Sequence, residues 1–344
     1  MGRAAVIALA IACVALVALS ADGHAAKAKA KGKKGQVRLG LVGDPAFGSA
    51  DAAERALWLD RAADAGAKTI GFGASWRGIA GLTPPADPTN PADPAYNFAR
   101  LDAAVRDAAA RGFRIVITIN RAPDFAEGPG RDPDVDPGTW KPSPERLAEF
   151  STAIATRYSG SFPDPSNPGA VLPRVAHWEI WGEPNLFAHL NPQTVGGKLV
   201  APTHLRAMVN AASKAIKGVD RSNEIIAGAT APFGDHPNPI DRTAPLTFWR
   251  AFFCLRGKKL KPQKRCPGGK PRVDAFSHNP LAGLAANEFG LQTMGPRDKA
   301  PHATDILIPD MHKLFDVLRA AREHRLVKPR KGTELWVSEL LWET

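Results

Sequence analysis

Two glutamates at the ends of apolar runs are the residues best suited to chemistry in this chain. Glu183 closes the run 178–182, and Pro184 turns the chain directly after it. Glu339 closes a similar run, Leu335-Trp336-Val337-Ser338, near the end of the sequence. Cleavage of a glycosidic bond needs one carboxyl group to protonate the leaving oxygen and a second group to act at the sugar carbon. The pair therefore suggests chemistry on a glycosidic bond.

Short apolar runs and helical patterns alternate regularly along the chain from residue 37 onward. Continuous apolar strands separated by helices are typical of a parallel sheet built from right-handed βαβ units and covered on both faces. We therefore predict an α/β fold, the (β/α)8 TIM barrel, lacking or truncated before its eighth β/α unit because the count stops at seven strands. The predicted strands are 37–42, 68–75, 113–119, 175–181, 224–229, 273–277 and 335–339, and the predicted helices are 51–65, 98–109, 145–158, 205–217, 247–254 and 311–318.

A doubly wound open sheet is the competing architecture. It is disfavoured because Gly43-Asp44-Pro45 follows the first strand where a glycine-rich phosphate loop would be expected. In a barrel, loops after the carboxyl ends of the strands build the active site. The long loops 81–96 and 121–144 follow the second and third strands, so we expect them to wall a cleft.

Side-chain alternation predicts how the carboxylates are placed. Leu335 and Val337 share a face of the last strand with Glu339, so burying them inside the barrel would bring Glu339 to the rim. Glu179 has the same parity as Glu183 but lies deeper in the barrel. There we expect a buried carboxylate paired with a basic residue rather than a catalytic group.

The two runs resemble motifs of a known family. Residues 178–185 resemble the Trp-x-x-Trp-Asn-Glu-Pro-Asn motif of clan A retaining glycoside hydrolases, particularly the branch of β-xylosidases and cellulase-like barrels. The run ending at Glu339, with Trp342 three residues later, resembles the strand that carries their nucleophile. The resemblance spans about residues 37–344.

The resemblance implies a role for each carboxylate. Glu183 would be the general acid/base and Glu339 the nucleophile, with carboxyl groups ~5 to 5.5 Å apart. Their environments would then hold Glu183 protonated and Glu339 ionised. Glu343, of the same parity as Glu339, is the alternative nucleophile, and two ordinary surface glutamates are the non-functional alternative.

The sequence departs from the family at two places. Gly182 stands where relatives carry an Asn that binds the sugar hydroxyl next to the reacting carbon. The sixth strand ends Ser277-His278-Asn279-Pro280, where relatives often have His followed by a Tyr that steadies the nucleophile. We expect His278 to do part of that work, with a structural histidine at the rim as the alternative.

Aromatic and polar side chains near the strand ends are candidate sugar contacts. Trp76, Trp181 and Trp342 are expected to stack on sugar faces, and Arg77 and Asn120 to bind hydroxyl groups, with core packing the alternative for each tryptophan. No metal and no organic cofactor is indicated.

The first 36 residues predict export. Arg3 precedes an apolar run that extends to Leu19 and then small residues, so residues 1–26 are predicted to be a signal peptide and the protein to be secreted. The run is short of the ~20 residues of a membrane anchor. Residues 27–36 form a basic tether that we expect to be disordered. The barrel is assigned to residues 37–344.

Charge argues against a nucleic-acid partner. Residues 1–36 hold six of the 45 basic and one of the 34 acidic residues, so the formal net charge falls from +11 to +6 without them. The basic cluster 256–272 has no aromatic residue and is predicted to be a solvated loop. Anionic wall polymers remain possible weak partners.

Two cysteines flank that basic cluster. In an exported protein, a disulfide between Cys254 and Cys266 is the natural interpretation. A metal site there would need more ligands at suitable spacing.

Three functions follow from these observations. The leading one is an exported retaining glycosidase that acts on polysaccharides or oligosaccharides. The second is a non-catalytic carbohydrate-binding barrel, which Gly182 and the missing eighth strand favour. The third is a wall-associated interaction protein that uses the basic tether.

Overall fold

The computed structural model describes residues 39–43, 45–238, 241–280, 297–329 and 333–340. The predicted signal peptide and tether lie outside these residues, as do Trp342 and Glu343. Within the described ranges no helix combines the length and apolarity needed to cross a membrane.

The centre of the fold is a seven-stranded sheet whose strands are all parallel and follow one another in chain order. A doubly wound sheet would reverse the strand order at a switch point, and the observed order does not. The predicted class, a (β/α) barrel short of its eighth strand, is confirmed. The strands are β1 (Gly40–Val42), β2 (Thr69–Ser75), β3 (Arg114–Asn120), β4 (His177–Ile180), β5 (Glu224–Thr230), β6 (Ala275–His278) and β7 (Glu334–Val337).

Helices connect the strands and cover one face of the sheet. Their starts follow from capping: the Asp51 carboxylate accepts hydrogen bonds from the backbone N–H groups of Ala53 and Glu54, which the helix itself leaves unpaired. All six predicted helices are present. The helices are α1 (Ala52–Asp64), α2 (Trp76–Ala80), α3 (Ala99–Ala110), α4 (Pro144–Arg157), α5 (Ala201–Val219), α6 (Pro245–Phe252) and α7 (His312–Glu323).

The short helix α2 was not predicted, because five residues are too few to show a helical period. The described residues also contain shorter elements of secondary structure. They are two antiparallel hairpins, Thr194–Val195 with Lys198–Leu199 and Leu255–Arg256 with Lys261–Pro262, and two 3-10 turns, Asp124–Ala126 and Ile308–Asp310.

The side chains of β7 face opposite directions from those we expected. Leu335 and Val337 belong to the main core between sheet and helices, together with Phe276 on the neighbouring strand. Trp336 instead joins a small apolar cluster on the other, concave face of the sheet and contacts the His177 ring at 5.9 Å. The prediction that Leu335 and Val337 fill the barrel interior is therefore wrong. All three side chains of the run are buried, so their polarity could not indicate which face is which.

The basic loop after α6 is fixed at both ends. A disulfide joins Cys254 to Cys266, as predicted. The buried guanidinium of Arg206 donates hydrogen bonds to the carbonyl oxygens of Phe252 and Pro267, and so ties the end of α6 and the loop to α5. Because the loop leads into the amino end of β6, it lies at the edge of the sheet opposite the strand ends that carry the glutamates.

Removal of the disulfide should lower stability. The bridge closes a sequence separation of 12 residues, and a loop of that size restricts the unfolded chain by about 3 kcal/mol. We expect the Cys254→Ala/Cys266→Ala double variant to lose about 2 to 3 kcal/mol in urea unfolding. Dithiothreitol should lower the urea midpoint of the wild type and leave that of the double variant unchanged. Equal midpoints for wild type and variant would contradict the prediction.

Candidate active site

The turn after β4 gives Glu183 its direction. Trp181 (φ 73°) and Glu183 (φ 42°) both adopt the left-handed backbone conformation, which costs a non-glycine residue of order 1 to 3 kcal/mol and persists where the surroundings enforce it. The backbone N–H of Trp181 donates to the Ile119 carbonyl, and that of Glu183 donates to the Ala229 carbonyl at 2.8 Å. The turn is thus pinned to the strands on either side of β4.

Gly228 on β5 lets this turn come close to the sheet. A Cβ atom added there would lie 2.9 Å from Cγ of Pro184 and 3.1 Å from the Trp181 carbonyl oxygen. Gly182 is different, because a Cβ added at that position would meet nothing within 4 Å. Packing therefore does not require glycine at the position where the resembling family carries Asn.

Asn185 fastens the same turn to the loop after β5. Its side chain is fully buried. The amide nitrogen donates to the carbonyls of Ala231 and Thr243 at 3.1 and 2.9 Å, and the amide oxygen accepts from the Ala231 N–H at 2.8 Å. A buried amide satisfied at both ends fixes the path of the chain beyond Pro184.

The Glu183 carboxylate lies partly in solvent, with 21% of its side chain exposed. Its Oε1 accepts a hydrogen bond from the side-chain nitrogen of Asn279 at 3.2 Å. Its Oε2 lies 3.5 Å from Nε2 of His189. Burial, assisted by the charge of Arg121, lowers the pKa of His189 to about 4. The imidazole is therefore neutral at pH 7, and the contact is polar rather than ionic.

Asn279 connects the two candidate catalytic strands. It follows β6, is buried, and its backbone N–H donates to the Thr230 carbonyl at 2.9 Å. Its side-chain oxygen accepts a hydrogen bond from the Ser338 hydroxyl at 3.1 Å. One amide thus binds Glu183 on one side and the residue before Glu339 on the other, and holds the ends of β4 and β7 together.

Glu339 lies just beyond the end of β7, where strand alternation no longer sets the direction of a side chain. Burial, followed by the negative charges of Glu183 and Glu179, raises the pKa of Glu339 to about 7. Below a pH of about 7, Glu339 is therefore largely protonated. We expected Glu183 to be the protonated member, but the raised pKa in this structure is that of Glu339.

Glu179 is buried on the concave face beneath this pair. Its oxygens accept hydrogen bonds from the hydroxyls of Thr118 at 2.7 Å and Ser277 at 2.5 Å. Burial raises the pKa of Glu179, and these hydroxyl bonds partly oppose the increase. No basic side chain in the described part of the chain forms a salt bridge with Glu179. The prediction that a basic residue pairs with it is therefore wrong. Hydroxyl side chains on the neighbouring strand β3 and on β6, one strand further away, are its partners instead.

Three of the predicted sugar contacts are interior side chains. Trp76 is buried and stacked on Phe150, with ring centroids 5.4 Å apart. Trp181 is 1% exposed, and its indole N–H donates to the His189 carbonyl. His278 is 0% exposed rather than at the rim. Its two ring nitrogens lie 2.8 Å from the Thr230 hydroxyl and 2.9 Å from the Ile306 carbonyl oxygen, and burial lowers its pKa to about 4.

The two predicted polar contacts lie closer to solvent. Arg77 forms a 2.5 Å ion pair with Asp124, which lowers the pKa of that carboxyl group. Asn120 ends β3 and lines a cavity of about 360 Å³, together with Ser75 and Arg100. None of the three glutamates lines this cavity, so it is separate from the carboxylate cluster. Trp342 lies outside the described residues.

Asn279 was missed as a functional residue by sequence reasoning, and Thr118, Ser277 and Ser338 were not assigned either. Each stands at or near the carboxyl end of a predicted strand. That position is the signal that could have identified them, but a single amide or hydroxyl there has no spacing pattern that separates it from ordinary turn chemistry.

Comparisons with known proteins give low similarity. No family model and no curated protein matches this chain. Similar solved structures include a family 39 glycoside hydrolase from the gut symbiont Bacteroides cellulosilyticus (14% identity, TM-score 0.35, 87% of this chain and 55% of that chain). A glucosidase from Croceicoccus marinus (18%, 0.41, 81% and 55%) and an endoglucanase from Thermotoga maritima (16%, 0.42, 84% and 76%) are also similar.

This chain spans about half the length of the first two of these structures. All three TM-scores are below 0.5. A functional assignment therefore has to rest on the residues of this chain.

The raised pKa of Glu339 predicts a pH-dependent cost in stability. Its ordinary value is 4.5 and its folded value about 7, so the folded protein binds more protons between these values and loses stability as pH rises through them. The Glu339→Gln variant lacks this loss. We therefore expect the difference in unfolding free energy, variant minus wild type, to be about 3 kcal/mol larger at pH 8 than at pH 4, so that the variant is relatively more stable at pH 8. A relative stability that is independent of pH would contradict this.

Glu179 should contribute directly to that raised pKa. In the Glu179→Gln variant one negative charge is removed, while an oxygen remains to accept a hydroxyl hydrogen bond. We expect the pKa of Glu339, followed by ¹³C NMR of labelled glutamate carboxyl groups, to fall in this variant. The matched control is Glu334→Gln, at the opposite end of β7, where the carboxylate accepts from the Trp336 indole. An equal fall in both variants would show that the effect is not specific to Glu179.

Proposed function

We propose that this protein hydrolyses O-glycosidic bonds of polysaccharides or oligosaccharides by double displacement, with Glu183 as general acid/base and Glu339 as nucleophile. The observation that carries the proposal is the coupling of two carboxylates at the carboxyl ends of β4 and β7. Glu183 is among the charges that raise the pKa of Glu339 to about 7. Two carboxyl groups beside a partly open edge are what the reaction needs, one to act as the acid and one to be ionised when it attacks.

In the first step, Glu183 in its protonated form would donate its proton to the leaving oxygen, while the ionised Glu339 carboxylate forms an ester bond with the sugar carbon and the bond from that carbon to the leaving oxygen breaks. In the second step, Glu183 would remove a proton from a water molecule that breaks this ester. The partial exposure of Glu183 suits a group that must meet first a leaving alcohol and then water.

Double displacement is favoured over direct attack by water. An inverting enzyme separates its carboxyl groups by about 6.5 to 9.5 Å to make room for a water molecule, whereas a retaining enzyme brings them closer. Here the Asn279 side chain links Glu183 to Ser338, the neighbour of Glu339, and the charge of Glu183 adds to the effect of burial on the pKa of Glu339. Both observations support two carboxylates at the same edge of the sheet, which is the arrangement that the proposed double displacement uses.

A carbohydrate-binding barrel without turnover is the second candidate. Gly182 favours it, because the family's hydroxyl-binding Asn is replaced although a Cβ atom at this position would meet no atom within 4 Å. Export is proposed from residues 1–26 alone. Weak retention on anionic wall polymers is proposed from the basic tether 27–36 and should disappear when the tether is deleted.

Activity should depend on both glutamates. We expect hydrolysis of at least one member of a panel of aryl glycosides, and we expect Glu183→Gln and Glu339→Gln to reduce kcat/KM by about 10³-fold or more. Glu334→Gln is the control and should retain activity. Turnover that survives both substitutions would exclude the proposed mechanism. Saturable binding of oligosaccharide with no turnover in the wild type would instead support the second candidate.

Glu339 should also set the pH profile. Its pKa of about 7 means that the proposed nucleophile is largely protonated below that pH, so kcat/KM should fall as pH decreases through 7. Substrates with good and with poor leaving groups should show the same fall, because both need an ionised nucleophile. A kcat/KM that stays constant between pH 8 and pH 5 would contradict the role given to Glu339.

A further inference from the structure

A cluster of two histidines and one aspartate lies away from the glutamates. His236 belongs to the loop after β5, and His302 and Asp305 belong to the segment that leads to the 3-10 turn Ile308–Asp310. One ligand-type atom from each of the three side chains lies within 4.8 Å of the other two. Among the residues that the structure describes, these three side chains are close enough to share one metal ion.

Asp305 is the fixed member of the cluster. Its side chain is 2% exposed, and its Oδ1 accepts a hydrogen bond from the Gly234 N–H at 3.2 Å. Both carboxylate oxygens lie 2.9 Å from Nε2 of His236. A buried carboxylate is costly without a compensating cation. Within the described residues, the ionic partner of Asp305 is a histidine, which carries charge only when protonated.

The second histidine is stacked on the first. The rings of His236 and His302 lie 3.8 Å apart between centroids, at an interplanar angle of 20°. Two protonated imidazoles at this distance would repel each other. Two neutral imidazoles beside one carboxylate supply two nitrogen ligands and one oxygen ligand, and a divalent cation supplies the positive charge that the buried carboxylate needs.

We propose that His236, His302 and Asp305 form a binding site for a divalent transition-metal ion of the Zn²⁺ type, with one or more coordination positions open to water. Two imidazoles and a carboxylate match the ligand preference of Zn²⁺ and its first-row neighbours, whereas Mg²⁺ and Ca²⁺ prefer oxygen ligands throughout. Zn²⁺ bonds of about 2.0 to 2.2 Å bring ligand atoms to roughly 3.4 Å from one another. The exposed His302 ring can make most of that movement.

The backbone around the cluster is already ordered for such a site. The Asp305 N–H donates to the His302 carbonyl at 3.1 Å, so the two ligands share one turn. The Ile306 N–H donates to the Pro232 carbonyl at 2.9 Å, which joins that turn to the loop carrying His236. A bound ion would therefore cross-link the loop after β5 to the segment before α7.

This cross-link would reach the catalytic edge through a short path. The Ile306 carbonyl, next to Asp305, lies 2.9 Å from Nε2 of the buried His278. Asn279, which binds Glu183, is the next residue in the chain. The ion is thus assigned a structural role that stiffens the support of Asn279, and it takes no part in the bond-breaking step.

Metal binding can be tested on full-length, tag-free protein stripped with EDTA. We expect one equivalent of Zn²⁺ to bind with a dissociation constant of about 1 μM or tighter, measured against a chromophoric chelator, and to raise Tm with the logarithm of the free Zn²⁺ concentration above that constant. Co²⁺ should give the visible absorption of a nitrogen- and oxygen-ligated low-coordinate ion. Mg²⁺ and Ca²⁺ at the same concentration should leave Tm unchanged.

Two variants separate the proposed site from adventitious binding. His302→Ala removes an exposed ligand without opening the core, and we expect it to weaken Zn²⁺ binding about 100-fold or more while metal-free Tm stays near that of the wild type. His324→Ala removes another exposed histidine, at the end of α7, and should bind Zn²⁺ like the wild type. Absence of stoichiometric binding, or equal Zn²⁺ affinity in wild type and His302→Ala, would overturn the proposal.

Discussion

The burial of neighbouring carboxylates at one edge of a parallel sheet is the constraint around which the site is organised. Glu179, Glu183 and Glu339 come from two strands, and burial, followed by the charges of the first two, raises the pKa of the third to about 7. Such an arrangement opposes folding at neutral pH. It persists because hydrogen bonds to Thr118, Ser277 and Asn279 are aimed at the carboxylates. Stability is given up locally to hold the Glu339 carboxyl group in a buried position beside other carboxylates.

The parallel sheet makes this concentration of charge possible. Because all seven strands run in one direction, residues far apart in the chain arrive at the same edge once their strands are in register. Asn279 shows the result: an amide after β6 contacts the turn after β4 on one side and the residue after β7 on the other. The turn after β4 then sets the direction of the Glu183 side chain, since it holds Trp181 and Glu183 in left-handed conformations.

Much of this could be predicted from the sequence. Long apolar runs, the Asp51 cap and glycines at helix ends placed the strands and six helices, and Pro184 located the turn that presents Glu183. The orientation of β7 could not be predicted, because Leu335, Trp336 and Val337 are all buried and their polarity does not distinguish the two faces. The partners of Glu179 could not be predicted either. They are single hydroxyl groups, and the one on β6 reaches Glu179 across the intervening strand.

The burial of the aromatic residues could not be predicted from their chain positions either. Trp76 and Trp181 follow strands at positions where a sugar-binding ring would be expected, yet both are buried against protein groups. Chain position indicates which edge of the sheet a side chain occupies, but whether a ring faces the core or the cleft depends on the loops that cover it. The position of a carboxylate near the rim of the sheet is easier to predict, because burying a carboxylate without partners is costly.

The central claim is that Glu339 forms a covalent bond with the sugar while Glu183 handles the proton. Its most direct test is to incubate the protein with activated 2-deoxy-2-fluoro glycosides, which slow the breakdown of a glycosyl ester, and to locate the label by peptide mass spectrometry. The account predicts one sugar per chain, attached to Glu339, with no labelling in Glu339→Gln. A label on Glu183 or Glu343, or turnover of aryl glycosides with no trapped ester, would contradict it.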